Sequence, residues 1–361
     1  MARGLSAALV AASLLVIGPI PAAGRARPHP YDSGPAWSPS GRYIAYLRDE
    51  TVHVMRPDGT GDRSLPGVGL FSWSRDDRVA FSHRDDRGVH LYSSRPDGSA
   101  LRQITFGASW DLRPAWSPDG RSLLFVRSGE YGSTDIWRVS VSGGRPVRLT
   151  KDGHSFLSYL DRVWSPDGRR FAFVSCAGRK CTRHRNDIFV MSSSGGPRHR
   201  LTWSNDNNTP TWSPDGSLVA YFTAKDYELD KTSRAEIKVV RPDGRGRRSI
   251  TRSGSHDFEL SGNGTSMSWS PNGRRIVFDV DSNPLEGRSE LWIVGRDGRG
   301  AHPWLRGAQG ARAFDQDPAW SADGRWIAFG RLYPDRRFGG QLFGSIHAGH
   351  VDGTHLRRLT Y

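Results

Sequence analysis

The sequence predicts an all-β chain made of many short antiparallel strands, and three observations lead there. Gly and Pro are abundant, 42 and 22 among 361 residues, and they punctuate the chain about every ten residues, too often for helices of ordinary length. Apolar and polar residues alternate over short runs, the period of half-buried strands. One motif centred on Trp-Ser-Pro-Asp-Gly returns along the whole chain. Together these predict a seven-bladed β-propeller of four-stranded antiparallel blades.

The motif stands at Trp37, Trp73, Trp116, Trp164, Trp212, Trp269 and Trp320, with spacings of 36, 43, 48, 48, 57 and 51 residues. Each copy reads as four strand segments, A to D. Segment A ends at the motif Trp, which is expected to pack between neighbouring blades. The Ser-Pro-Asp-Gly turn follows: Pro presets φ, and Gly takes the position that favours positive φ. Segment B is an alternating run such as Ser122–Val126 or Arg170–Val174. Segment C includes Asp135–Val139, Asp187–Met191 and Glu290–Val294. A second tight turn leads into segment D, a short basic strand such as Val147–Thr150 or Arg357–Thr360. Blades are expected at about 31–67, 68–107, 108–152, 153–204, 205–254, 255–309 and 310–361. Because the first begins with its own A strand and the last ends with its own D strand, closure without an exchanged strand is expected.

The repeat resembles the TolB-type, WD40-like PD40 propeller repeat, whose pattern D-x-x-P-x-W-S-P-D-G-x-x-I-A-F is matched across residues 31–361. The resemblance implies a propeller. TolB proteins of this family carry an additional N-terminal α/β domain and six blades, so the likeness is to their propeller. Related propellers precede hydrolase domains of the prolyl-oligopeptidase type, and the seven repeats occupy this chain to its last residue.

Residues 1–24 read as a signal peptide: Arg3, an apolar run from Leu5 to Ile17, then Pro19, Pro21 and the small residues Ala22, Ala23 and Gly24. Residues 25–30 form a short segment before the propeller. No later run is apolar enough to span a membrane. An exported, periplasmic or envelope location is expected, as a monomer. Cys176 and Cys181 are the two cysteines; export favours a local disulfide over free thiols or a metal site. The net charge of +14 suits an anionic partner such as a cell-envelope polymer, although Arg is spread through every repeat. No nucleic-acid motif is present, and nucleic acid is not expected as a partner.

Function is expected on the face with long, variable loops, the B–C hairpins and D–A crossovers, because the opposite turns are uniformly tight. There, five residues before the motif Trp, stand Asp32, Asp111, Asn207 and Asp315, and three before it stand Asp161 and Asp317. Two readings are open: a ring of carboxylates that binds a cation or a basic group, or local acceptors that cap turns. His154 and His256 occupy similar crossover pentapeptides. No nucleophile elbow, zinc-protease motif or phosphate loop occurs, and no cofactor or metal is expected. The chain is therefore read as a non-catalytic scaffold recognising a protein or an envelope polymer. The rival is a polysaccharide lyase or glycosidase that uses the mouth carboxylates and His.

Overall fold

The Ser-Pro-Asp-Gly turns close on themselves. At Trp116 the Ser117 hydroxyl donates to Asp119 Oδ1 at 2.6 Å, and the Arg121 N–H donates to the same oxygen at 3.0 Å. The Ser122 N–H returns to Ser117 Oγ at 2.9 Å. The same Ser-to-acid bond recurs at Ser165–Asp167, Ser213–Asp215 and Ser321–Asp323, and Asn272 replaces the acid beside Ser270. Such turns satisfy their own polar groups.

The computed structural model describes residues 30–129, 132–158, 162–176, 186–204, 207–224, 235–251, 266–283, 288–305, 313–335 and 341–361. All its regular elements are strands. The first repeat supplies β1 (Asp32–Trp37), β2 (Ile44–Arg48), β3 (Thr51–Met55) and the start of β4 (Arg63–Trp73). The second continues β4 and adds β5 (Val79–Asp85), β6 (Gly88–Ser94) and β7 (Arg102–Gln103). The third holds β8 (Trp110–Trp116), β9 (Ser122–Ser128), β10 (Thr134–Ser140) and β11 (Val147–Arg148). The fourth holds β12 (Arg170–Cys176), β13 (Asn186–Ser192) and β14 (Arg198–Arg200); its A segment is reduced to a bridge between Trp164 and Phe171. The fifth holds β15 (Asn207–Trp212), β16 (Val219–Ala224), β17 (Ala235–Val240) and β18 (Arg248–Ser249). The sixth holds β19 (Met267–Trp269), β20 (Arg275–Asn283), β21 (Arg288–Gly295) and β22 (His302–Pro303). The seventh holds β23 (Phe314–Trp320), β24 (Trp326–Asp335), β25 (Gln341–His350) and β26 (Arg357–Arg358). Consecutive strands within a repeat pair antiparallel.

One expected boundary dissolves. β4 runs unbroken across position 67/68, so the D segment of the first repeat and the A segment of the second are a single strand. Trp110 opens β8.

Residues along each B strand alternate between two seams, as a pleated strand requires. Ile44 and Tyr46 face one apolar cluster and Ala45 faces another. Among the described residues the core falls into seven such clusters, each drawing on two neighbouring repeats and each holding one motif Trp. Trp212 and Trp269 are fully buried. Two indoles also bond across the seam: Trp73 Nε1 donates to the Ala36 carbonyl and Trp164 Nε1 to the Ala115 carbonyl, both at 3.0 Å.

The first and last repeats pack by the same rules. Trp37, Ile44 and Tyr46 share a cluster with Ala328, Ile346 and Leu359. Tyr31 forms a parallel bridge with Gly344, matching Trp110 with Val89 and Phe314 with Ser289 at other seams. The Pro30 carbonyl accepts from the Gly344 N–H at 3.1 Å, as the Ser109 carbonyl does from Val89. These contacts fall on C strands, not on the outer strand β26.

A third device ties the D strands down. A Thr hydroxyl oxygen accepts the N–H of a C-strand residue 14 positions earlier: Thr105 from Leu91, Thr150 from Ile136, Thr202 from Ile188, Thr251 from Ile237 and Thr360 from Ile346, all at 2.8–2.9 Å.

Candidate functional site

The inner A strands reach the long-loop face at the position five residues before the motif Trp. Asp32, Asp111 and Asp315 are buried there, 1%, 0% and 7% exposed. Strand register puts each directly opposite an Arg of the B strand: Asp32 against Arg48, Asp111 against Arg127, Asp315 against Arg331. All three pairs are bidentate. Arg127 donates from Nε and Nη2 to the two Asp111 oxygens at 2.6 and 2.8 Å. Arg331 meets Asp315 at the same two distances, and Arg48 meets Asp32 at 2.8 and 2.9 Å. Arg48 reaches on to Asp62 at 2.9 Å, while Arg127 lies 4.6 Å from the Trp137 ring. The carboxylates therefore stand behind guanidiniums rather than as free carboxylates. Buried charge is tolerated in this form because both carboxylate oxygens are bonded.

Asn207 departs from the pattern, and so does its partner, since Thr223 occupies the Arg position opposite. Asn207 instead donates to Asp187 Oδ1 at 3.0 Å. Asp187 takes Arg200 and the Thr202 hydroxyl at 2.6 and 2.8 Å, and Asp135 takes Arg148 and Thr150 in the same way. This second acid–Arg–Thr network joins strands C and D.

Three residues before the motif Trp the A strands bulge. Register breaks between Ser33 and Ala36, Leu112 and Ala115, Asn208 and Thr211, and Gln316 and Ala319. At each break one residue takes a left-handed conformation: Gly34 at φ 58°, Arg113 at 56°, Thr209 at 50° and Asp317 at 53°. A bulge re-aims its side chain, and a non-glycine residue there is strained. Asp317 accepts from the Ser266 hydroxyl at 2.6 Å and from the Gly34 N–H, and burial pushes its carboxyl above the ordinary range. Ser266, Asp317 and Gly34 occupy this same position in the sixth, seventh and first repeats, so side chain and backbone at this position touch from one repeat to the next. Arg113 donates to the Leu157 carbonyl of the next repeat at 3.1 Å.

The structure thus separates the sequence candidates. Asp32, Asp111 and Asp315 sit in repeated ion pairs, and Asp317 joins the bulge contacts. His154 is exposed on its crossover, its N–H bonded to Asp152 at 3.1 Å. Asp161, His256 and Cys181 lie outside the described residues, as do most of the long B–C loops. Cys176 is buried at the end of β12 and disulfide-bonded. Among the described residues no group of three or more His, Cys, Asp or Glu is arranged to hold a metal ion, and no helix is long and apolar enough to cross a membrane. Sequence reading missed the Arg partners, although a signal existed. Asp five before the Trp and Arg eleven after it occur together in the first, third and seventh repeats, and both are replaced in the fifth.

Fold and site define a β-propeller in which three repeats each pair an A-strand acid with a B-strand Arg. The chain belongs to the PD40 family, the TolB beta propeller domain, whose model matches residues 32–259. It is similar to the uncharacterized protein Atu1656 of Agrobacterium fabrum, 29% identical over 226 residues that cover 60% of this chain and 69% of that one. It is also similar to the Tol-Pal system protein TolB of Anaeromyxobacter dehalogenans, 38% identical over 181 residues, 46% of this chain and 38% of that protein. The chain thus matches well under half the length of that TolB. Among solved structures, the β-propeller domain of the Trilobed protease from Pyrococcus furiosus superposes with a TM-score of 0.64 at 12% identity, covering 92% of this chain and 98% of that one. At that identity the likeness is one of fold.

Proposed function

We propose that the protein is an exported, non-catalytic binding scaffold: a closed seven-bladed ring of four-stranded blades that takes a protein or an anionic envelope polymer on its long-loop face, over the channel mouth. Seven two-repeat clusters and the matching contacts at the first–last seam support the ring. The observation that carries the binding reading is the bulge position. Arg113, Thr209 and Asp317 are held where the backbone favours glycine, and Gly34 stands at the equivalent place. Left-handed strain of this kind costs about 1 kcal/mol or more per residue. A repeat built for stability alone would carry glycine throughout. Keeping three chemically different side chains there, Arg113 and Asp317 half-buried and Thr209 buried, fits a lining whose chemistry answers to more than stability.

Catalysis by the mouth carboxylates is less well supported. A general acid or base must reach its substrate, and Asp32, Asp111 and Asp315 are buried with both oxygens bonded to Arg.

The test is the double change Arg113→Gly with Thr209→Gly. It relieves strain, so the unfolding midpoint is expected to hold or rise. Capture of a partner from an envelope extract of the producing cells, measured per folded molecule, is expected to fall. Undiminished capture by the double variant would remove the channel from the binding surface.

A further inference from the structure

Exposed aromatic side chains are few among the described residues, and their placement is not random. Among the described residues three are exposed: Phe106 at 67%, Trp203 at 53% and Tyr361 at 86%. All three directly follow the D-strand Thr that anchors strand C, namely Thr105, Thr202 and Thr360. Single exposed apolar residues need no explanation. Three confined to one position of a repeat do.

The same position is prepared by its neighbours. Two residues before each Thr, a long polar side chain bends across to the Thr carbonyl: Gln103 Nε2 at 3.0 Å, Arg200 Nε at 2.7 Å and Arg358 Nε at 2.6 Å. This clamp lays the polar head beside the next side chain. Arg200 lies 5.9 Å from the Trp203 ring and Arg358 5.2 Å from the Tyr361 ring. Arg247 of the adjoining repeat takes a further place 5.7 Å from Trp203. No carboxylate among the described residues lies within ion-pair reach of Arg247 or Arg358. In the third repeat the position carries an exposed cation, Lys151. At Phe106 the clamp is an uncharged amide, and the cleft alongside, about 270 Å³, is of mixed charge, lined by Arg87, Asp85 and Asp86.

We propose that this outer rim is a binding track for an anionic polysaccharide, separate from the channel mouth. An aromatic face covers the C–H face of a sugar ring, and an adjacent guanidinium pairs with a carboxylate or phosphate on it. Platforms repeated around a ring suit a repetitive polymer, whose sites bind together with high effective concentration. The Gln103–Phe106 platform favours a glycan over a partner held by charge alone, because it pairs a ring with an amide. The surplus charge of +14 suits the anionic class.

The probe is alginate, with dextran, polyglutamate and oligo(dT) beside it, in affinity electrophoresis at physiological ionic strength. The wild-type chain is expected to be retarded by alginate more than by the other three. The triple variant Phe106→Ala, Trp203→Ala, Tyr361→Ala is expected to lose affinity about tenfold or more with an unchanged unfolding midpoint, because all three rings are exposed. The channel reading is tested apart from this by extract capture with the Arg113→Gly, Thr209→Gly variant, so failure of the rim and failure of the channel reading are separable. Equal retardation of wild type and the triple variant would overturn the proposal. So would retardation by polyglutamate or oligo(dT) as strong as by alginate, which would assign the rim to charge alone.

Discussion

A β-carbon placed on Gly59 would stand 2.6 Å from the carbonyl oxygen of Leu359, exactly three hundred residues further along the chain. Gly59 ends the C–D turn of the first repeat, and Leu359 lies in the last D segment. The same approach occurs inside the chain, where Gly353 lies against the Trp304 carbonyl and Gly298 against the backbone of Ile250. The first–last seam is thus packed like an internal one. Gly59→Ala meets both the clash and a φ of 85°. It is expected to destabilise by about 1–3 kcal/mol, whereas Gly41→Ala, with open space around its β-carbon, bears only the φ penalty. Denaturant unfolding of the two variants compares them. Equal losses would mean that the first–last contact does not form in solution.

The motif Trp residues should dominate stability. Trp212 is fully buried between two repeats, while Trp110 is half-buried with Arg84 5.5 Å from its ring. Truncating a buried Trp costs about 3–5 kcal/mol, so Trp212→Ala is expected to lower the unfolding midpoint well beyond Trp110→Ala. Similar shifts would contradict the seam assignment.

The acid–Arg pairs call for a double-mutant cycle. Asp111→Asn alone leaves Arg127 without its carboxylate and is expected to cost about 3 kcal/mol. Adding Arg127→Gln is expected to cost little more, giving a coupling energy above about 1 kcal/mol. Additive losses would show that the pair contributes nothing as a pair.

His347 makes stability pH-dependent. It is buried on β25 with Ser345 Oγ 3.0 Å from its Nε2. Burial, with Arg331 and Arg358 nearby, holds its pKa at about 3 instead of 6.5. Between these values the unfolded chain binds a proton that the folded chain refuses. Stability is therefore lost as pH falls below 6.5, by roughly 1.4 kcal/mol per pH unit, until the folded pKa is reached. Stability measured from pH 6 to pH 4 is expected to fall less steeply in His347→Gln. Parallel slopes would place the acid sensitivity elsewhere.

Thiol titration tests the cysteines. With Cys176 in a disulfide, the unfolded, unreduced protein is expected to titrate no thiol. If Cys181 is the partner, as its spacing suggests, the short loop contributes about 2 kcal/mol by chain entropy, and reduction is expected to leave the propeller folded. Two thiols before reduction would exclude the bridge.

Much of the fold was legible because its causes are local. The Ser-Pro-Asp-Gly turns satisfy their own hydrogen bonds, so composition alone places them, and seven copies imply a shared architecture. The candidate site was legible only in part. The offset of Asp32, Asp111 and Asp315 from the Trp could be read. Whether those carboxylates faced the channel or an Arg depended on cross-strand register, which pairs residues 16 apart across a turn and a bulge.

The sequence by itself determined the strand content, the turn chemistry, the repeat period and the seam role of the Trp residues, because each rests on near neighbours and on a two-residue alternation. Only the tertiary structure decided which acids are buried, that the inner strands bulge at Gly34, Arg113, Thr209 and Asp317, and that Phe106, Trp203 and Tyr361 are exposed. Those outcomes depend on the register between strands and the contact between neighbouring repeats, and both are settled by packing between repeats rather than within any single one.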